Sequence, residues 1–290
     1  MTTVAEIQFN LPSASIAALR WNVGAPKKVI ALHGWLDNAA SFSLLAPLLV
    51  GCDVLALDLA GHGRSSKRSG HGAYNIWQDL PEILQVADHL EWESFYLLGH
   101  SRGAMIATLL AGCFPGRVQG TCLIDAVLPL TLEESQLPDQ LASALTNLSN
   151  SATRKTSYYP TEDKALSVRK KGLYPVSSEA ARLFAERGLS EDANGFYWHH
   201  DPRLLALSEL RLSRAQALAF INKFTRKALV IKASEGLFLD ASIAWMLEHD
   251  NVTVVDLVGP HHIQMTDNPS TLKYLARVMN DYISIAEEPC

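Results

Sequence analysis

The 290 residues predict an α/β protein with a mostly parallel sheet, interrupted once by a helical insertion. Three observations carry that expectation. Short apolar runs alternate with helical stretches from residue 28 to 127, and again from 228 onward. Between 128 and 224 the alternation stops, leaving helices and loops without a convincing buried strand. Finally, the pattern Gly99-x-Ser101-x-Gly103 lies between an apolar run and a helical one. Glycines are required there because a Cβ on either side of so tight a turn would clash.

In chain order, 5–9 and 15–21 read as two strands around Pro12-Ser13, an antiparallel start to the sheet. Residues 28–32 form an apolar run suited to a strand buried on both faces, ending in His33-Gly34-Trp35-Leu36-Asp37-Asn38. A helix is expected from Ala39 to Leu49, then a strand from Asp53 to Leu57 running into the two-glycine loop Asp58 to Ser66. Residues 75–90 read as a helix in which Pro81 marks a kink or a late first turn. The strand Phe95 to Leu98, the Ser101 turn and a helix over 104–113 follow, then a strand from Gly120 to Val127. In the insertion, Thr131-x-x-Glu134 is a capping pattern for a helix toward Leu148. Further helices are expected over 161–171, 177–187 and 213–224, with an aromatic loop at 194–202. A strand at 228–233, a helix at 240–248, a strand at 252–258 and a helix at 270–285 complete the chain. The expected division is therefore a core of 1–127 and 225–290 with a helical cap of 128–224.

Ligands of such sheets bind beyond the carboxyl ends of the strands. His33-Gly34-Trp35, Asp58, Ser101 and Asp125 all fall there. A serine hydroxyl needs a histidine to take its proton and a carboxylate to hold that histidine. Ser101, Glu235 and His261 occur in the order this chemistry takes on such a sheet, each at a strand end. His261 is favoured over adjacent His262 because it lies in the first loop turn off its strand. Glu235 is favoured as the acid, with Asp125 as its rival. The backbone N–H groups of Trp35 and Arg102 are the expected oxyanion donors, with His33 bracing the first of those loops. Asp58-x-x-Gly61-x-Gly63-x-Ser65 reads as a structural loop. Adjacent His199-His200 and His261-His262 pairs lack the spacing of a zinc site, so no metal is expected.

Bulk properties narrow the classes. Charged residues are 19% and apolar ones 48%, an ordinary globular balance. A net charge of −5 without a basic stripe argues against nucleic acid. No apolar stretch suits a bilayer, and Met1 to Phe9 lacks the features of a secretory signal. Cys52, Cys113, Cys122 and Cys290 show no C-x-x-C spacing, and Cys52 and Cys122 are expected as buried thiols. A reduced, cytoplasmic setting is the expectation.

These residues resemble the α/β-hydrolase superfamily over nearly the whole chain. The stretch His33 to Asn38, the Asp58 to Ser65 loop, Gly99-His100-Ser101, Ile231-Lys232-Ala233 with Gly236, and Gly259-x-His261 resemble more narrowly the serine hydrolase-like proteins. The resemblance implies an eight-stranded sheet, a helical lid, a serine nucleophile and no cofactor, but supplies no substrate. Two departures stand out. Gly236 occupies about the place where many relatives carry their acid. Arg102-Gly103-Ala104 resembles epoxide hydrolases and haloacid dehalogenases, whose nucleophile is aspartate where this chain has Ser101. The leading expectation is a serine hydrolase acting on a small carboxylic ester or thioester, a small-molecule substrate, with the oligomeric state open. The alternatives are hydrolysis of a diketone carbon–carbon bond by the same triad, with the Arg102 side chain either binding a substrate carboxylate or turned away into a surface ion pair, and a non-catalytic ligand-binding protein whose acid is misplaced.

Overall fold

The computed structural model describes residues 4–151 and 154–285; Cys290 lies outside them. The strands β1 (Ala5–Asn10), β2 (Ser15–Trp21), β3 (Lys27–Leu32) and β4 (Cys52–Leu57) are followed by α1 (Asp79–His89), β5 (Phe95–His100), α2 (Arg102–Cys113) and β6 (Val118–Ile124). The insertion holds α3 (Leu137–Ser151), α4 (Glu162–Lys170), α5 (Ser178–Gly188), a hairpin of β7 (Leu189–Asp192) and β8 (Gly195–Trp198), and α6 (Arg214–Ile221). The chain then makes β9 (Ala228–Glu235), β10 (Val252–Pro260) and α7 (Pro269–Ile285).

Eight strands form one sheet in the order β1-β2-β4-β3-β5-β6-β9-β10. Only the β1–β2 and β2–β4 pairings are antiparallel; the rest are parallel. Side chains alternate along each strand, so every central strand feeds two apolar layers. Ile30, Leu32, Leu55 and Leu57 pack on the layer that includes Ile83, Ala104 and Ile106. Val29, Ala31, Val54 and Ala56 pack on the opposite layer with Phe42, Leu275 and Met279. Because β3, β5, β6 and β9 are parallel neighbours, their carboxyl ends open onto one edge. That edge gathers the residues of interest.

Several expected elements change form. Instead of one helix over 39–49, the chain makes two 3-10 turns, Ala39–Phe42 and Ala46–Leu48. Pro47 and a buried Asn38 cap, which accepts from the Ala40 N–H, favour short turns there. Residues Ala241–Glu248 are likewise a 3-10 run. Pro81 sits in the first turn of α1, where its missing N–H has no intrahelical role. The capping box before α3 uses Glu133 and Gln136 and not Thr131 and Glu134. The aromatic stretch expected as a loop supplies β8, whose Phe196 also bridges to Tyr159. Helix α6 lies on α2: a Cβ on Gly112 would stand 2.6 Å from the Phe220 carbonyl oxygen.

Buried polar contacts tie the insertion to the sheet. Arg187 of α5 grips Asp58 with an Nη2–Oδ2 distance of 2.6 Å. Asn38 Nδ2 donates to the Phe184 carbonyl at 2.9 Å. Asp201 accepts from the Tyr74 hydroxyl at 2.9 Å and pairs with Arg203. Cys52 and Cys122 are buried thiols, as expected, while Cys113 is exposed. Among the described residues no helix is long and apolar enough to cross a membrane.

Candidate active site

Ser101 sits between the last residue of β5 and the first of α2, at φ 52° and ψ −119°. That left-handed conformation is costly for a residue with a Cβ and persists only where its surroundings enforce it. The flanking glycines show the enforcement. A Cβ on Gly99 would lie 2.5 Å from Ala104 Cα, and one on Gly103 would lie 2.0 Å from the Leu32 carbonyl oxygen. The turn thus packs directly against the end of β3. The Ser101 N–H donates to Ile124 O on β6 at 2.9 Å, fixing the turn from the other side.

His261 follows β10 and is buried. Its Nδ1 lies 2.6 Å from Asp125 Oδ2. Here the expected acid needs correction. Glu235 ends β9 as an exposed residue, whereas the carboxylate on His261 belongs to Asp125, immediately after β6. The physical reason lies in the neighbouring turn. Asp125 Oδ1 accepts from Ala233 N–H at 3.2 Å, and Oδ2 accepts from Leu237 N–H at 2.7 Å. A Cβ on Gly236 would stand 1.9 Å from Asp125 Oδ2. The glycine therefore leaves the space that the Asp125 carboxylate fills, and the end of β9 and the turn after it supply N–H donors in place of an acid. Asp125 itself sits at φ 52°, a second left-handed residue at the edge.

Burial pushes His261 below the ordinary histidine range, partly offset by the hydrogen bond to Asp125. The resting imidazole is thus neutral, with its Nδ1 proton directed at Asp125. Tyr174 of the insertion stacks on it with ring centroids 4.1 Å apart.

His262 takes a different partner, placing Nε2 3.0 Å from Asp37 Oδ2. Asp37 Oδ1 accepts from Arg169 of α4 at 2.6 Å. Burial alone would raise the Asp37 carboxyl; His262 and Arg169 outweigh it and hold that carboxyl well below the usual range. His33 braces its loop as expected: Nε2 accepts from Leu59 N–H at 3.0 Å, so Nδ1 carries the proton given to Gly34 O at 2.7 Å. Asp58 holds loop N–H groups of Ala39 and Arg64 at 2.7 and 2.8 Å, the structural role expected of it.

The Arg102 N–H lies in the first turn of α2, where helical N–H groups have no intrahelical partner. Its side chain turns away from the cavity into a buried ion pair, 2.8 Å from Asp79 Oδ2. Trp35 lies in the turn after β3, closed by Asp37 N–H donating to Gly34 O at 3.2 Å. The Trp35 indole N–H reaches Leu204 O of the insertion at 2.7 Å. A cavity of about 320 Å³ brings together Gly34, Trp35, His100, Ser101, His261 and His262 from the sheet edge. Leu36, Val168, Leu173, Tyr174 and Trp198 give it a largely apolar wall. Sequence reasoning missed Asp37, His100 and Arg169. Asp37 and His100 were hidden inside motifs read for their neighbours, and Arg169 carried no signal on its exposed-looking helix.

An edge of parallel strand ends with a strained serine between β5 and α2, and a histidine on a buried aspartate, is the arrangement of one superfamily. A family model described as the alpha/beta hydrolase fold matches residues 27–269, and the chain belongs to the α/β-hydrolase superfamily. Within it, the chain resembles the serine hydrolase-like group: it is 30% identical to serine hydrolase-like protein 2 of Homo sapiens over 91% of this chain and 90% of that protein. The crystal structure of a hypothetical protein from Pseudomonas aeruginosa PAO1 is similar at 38% identity and TM-score 0.92, covering 96% of this chain and 99% of that one. A thioesterase domain from the curacin biosynthetic pathway is similar at 25% identity and TM-score 0.81, covering 98% and 99%.

Proposed function

We propose that the protein is a serine hydrolase that cleaves a small carboxylic ester or thioester through an acyl-enzyme. The observation that carries this reading is the His261–Asp125 pair at 2.6 Å, in the cavity that Ser101 enters. Neutral His261 takes the Ser101 proton on Nε2 as Oγ attacks the carbonyl carbon. Asp125 holds the ring and stabilises the imidazolium that forms. The Trp35 and Arg102 N–H groups receive the oxyanion. Collapse of the tetrahedral intermediate transfers the His261 proton to the leaving alcohol or thiol. Water then repeats the sequence on the acyl-serine and frees the acid. The insertion acts as a cap, whose apolar side chains select a hydrophobic acyl or alcohol portion. Similarity to a thioesterase domain supports keeping thioesters in the substrate class.

Two observations favour this reading over the alternatives. Arg102 was the group offered to a substrate carboxylate in diketone cleavage, and its side chain is committed to Asp79. A ligand-binding protein with a broken constellation rested on a misplaced acid, and His261 has a carboxylate. Fluorophosphonate labelling followed by peptide mass mapping tests the proposal. The expected result is one adduct on Ser101, absent in Ser101→Ala, together with hydrolysis of p-nitrophenyl esters or acyl thioesters. An unlabelled Ser101 in folded protein overturns it.

A further inference from the structure

Asp37 in the turn after β3, His100 at the end of β5 and His262 after β10 are buried and have no part in the proposed hydrolysis. One ligand atom from each lies within 4.8 Å of the other two. Asp37 Oδ2 stands 3.0 Å from His262 Nε2 and 3.6 Å from His100 Nδ1. Two ligands of a tetrahedral ion with bonds of about 2.0–2.1 Å lie roughly 3.3 Å apart, between those two spacings.

The protons on His100 make the cluster more than a hydrogen-bonded patch. Its Nε2 lies 3.1 Å from the His261 carbonyl oxygen, which can only accept, so Nε2 carries a proton. Its Nδ1 is buried and has no hydrogen-bond partner among the described residues. A neutral His100 therefore turns a bare lone pair toward the Asp37 carboxylate in a site with little water. Either a proton or a metal cation relieves that conflict. A backbone carbonyl on the far ring nitrogen is also the support that metal-bound histidines commonly have. Arg169 occupies Asp37 Oδ1 and leaves Oδ2 facing the two rings. Gly34 permits the approach: a Cβ there would lie 2.9 Å from Asp37 Oδ2 and 3.0 Å from His100 Nδ1.

We propose that Asp37 Oδ2, His100 Nδ1 and His262 Nε2 form an inhibitory site for a transition-metal dication of the zinc type, with a fourth position open to the cavity. Two imidazoles and one carboxylate favour zinc, cobalt, nickel or copper over magnesium or calcium. On binding, the His262 proton moves from Nε2 to Nδ1. The ion joins the Gly34–Asp37 turn to the Ser101 turn and the His261 loop. Its charge opposes formation of the His261 imidazolium, and its bulk narrows the cavity in front of Ser101.

The test uses the whole chain, stripped with a chelator and titrated with Co²⁺. Visible absorption bands of a nitrogen- and oxygen-ligated ion, saturating at one equivalent and erased by Zn²⁺, are expected. His262→Gln should weaken Co²⁺ and Zn²⁺ at least tenfold, read by absorption and calorimetry, whereas His71→Gln, an exposed position, should not. No bands and no heat, or unchanged affinity in His262→Gln, overturn the site. Should circular dichroism show His262→Gln unfolded, an anomalous difference map of a cobalt-soaked wild-type crystal decides. A peak among the three ligand atoms supports the site, and its absence there overturns it. Zn²⁺ should also lower ester hydrolysis at least fivefold, reversibly with EDTA. Binding is read without substrate, so it stands or falls separately from the hydrolase reading.

Discussion

The turns after β6 and β9 are neighbours on the same sheet edge, and they divide between them what one acidic turn could do alone. The β6 turn carries the carboxylate, Asp125, in a left-handed conformation. The β9 turn carries a glycine and the Leu237 N–H, which with the Ala233 N–H of β9 itself solvates that carboxylate. Exposed Glu235 has the right chemistry and the right place in the sequence, but lies on the solvent side of its turn. What counts is therefore which turn has room and donors for a buried anion. An ionised carboxylate that leaves water needs its lone pairs satisfied, and only Asp125 has that setting.

The largest effect that would break this comparison is Asp125→Asn. An amide on His261 Nδ1 favours the wrong tautomer, and kcat/KM should fall by roughly 10³–10⁴-fold, while Glu235→Ala should change it by less than about twofold. The reverse ranking in steady-state assays would return the acid to Glu235. Next comes Gly236→Ala. The new methyl group would displace the Asp125 carboxylate, and a loss of about 10²-fold is expected with the fold retained by circular dichroism. Wild-type rates in that variant would show that the Asp125 position is not strict. Moving the acid across, Asp125→Gly with Gly236→Asp, should recover about tenfold over Asp125→Gly alone; no recovery would mean the β9 turn has lost its competence along with its acid.

The smallest expected effect concerns how the insertion is held. Burial would raise the Asp201 carboxyl, but bonds from Arg203 and Tyr74 outweigh it and lower its pKa. A depressed carboxylate contributes stability above its unfolded value of about 3.9, and that contribution is lost as pH falls through the lower folded value. Asp201→Asn should therefore lower the melting temperature by about 2–4 °C at pH 7, with the gap closing below pH 4. A gap that widens in acid would contradict the sign.

Much of this was legible in the residues. The β5–α2 turn was, because Gly99, Ser101 and Gly103 answer to one steric demand that leaves few other readings. The sheet was, because buried parallel strands such as Val29 to Leu32 and Val54 to Leu57 are apolar throughout. The β7–β8 hairpin was not: its strands are short, at most partly buried and outside the main sheet, so no run of buried side chains marks them. The acid was misread for a related reason. Position along the chain favours Glu235, and the deciding fact is a contact between Gly236 and Asp125, 111 residues apart in sequence. Asp37 and His100 were passed over because their partners lie far away in the sequence.

Gly236 also constrains descent. With a side chain at 236 the Asp125 carboxylate has no seat, so acids at 125 and 236 exclude one another on this backbone. A lineage that moved its acid from one turn to the other had to pass through a chain with neither, or shift the backbone while it kept both. The two positions should accordingly vary together among relatives: aspartate after β6 beside glycine after β9, or an acid after β9 beside a small neutral residue after β6. A relative with acids at both positions would mark where the backbone itself has moved.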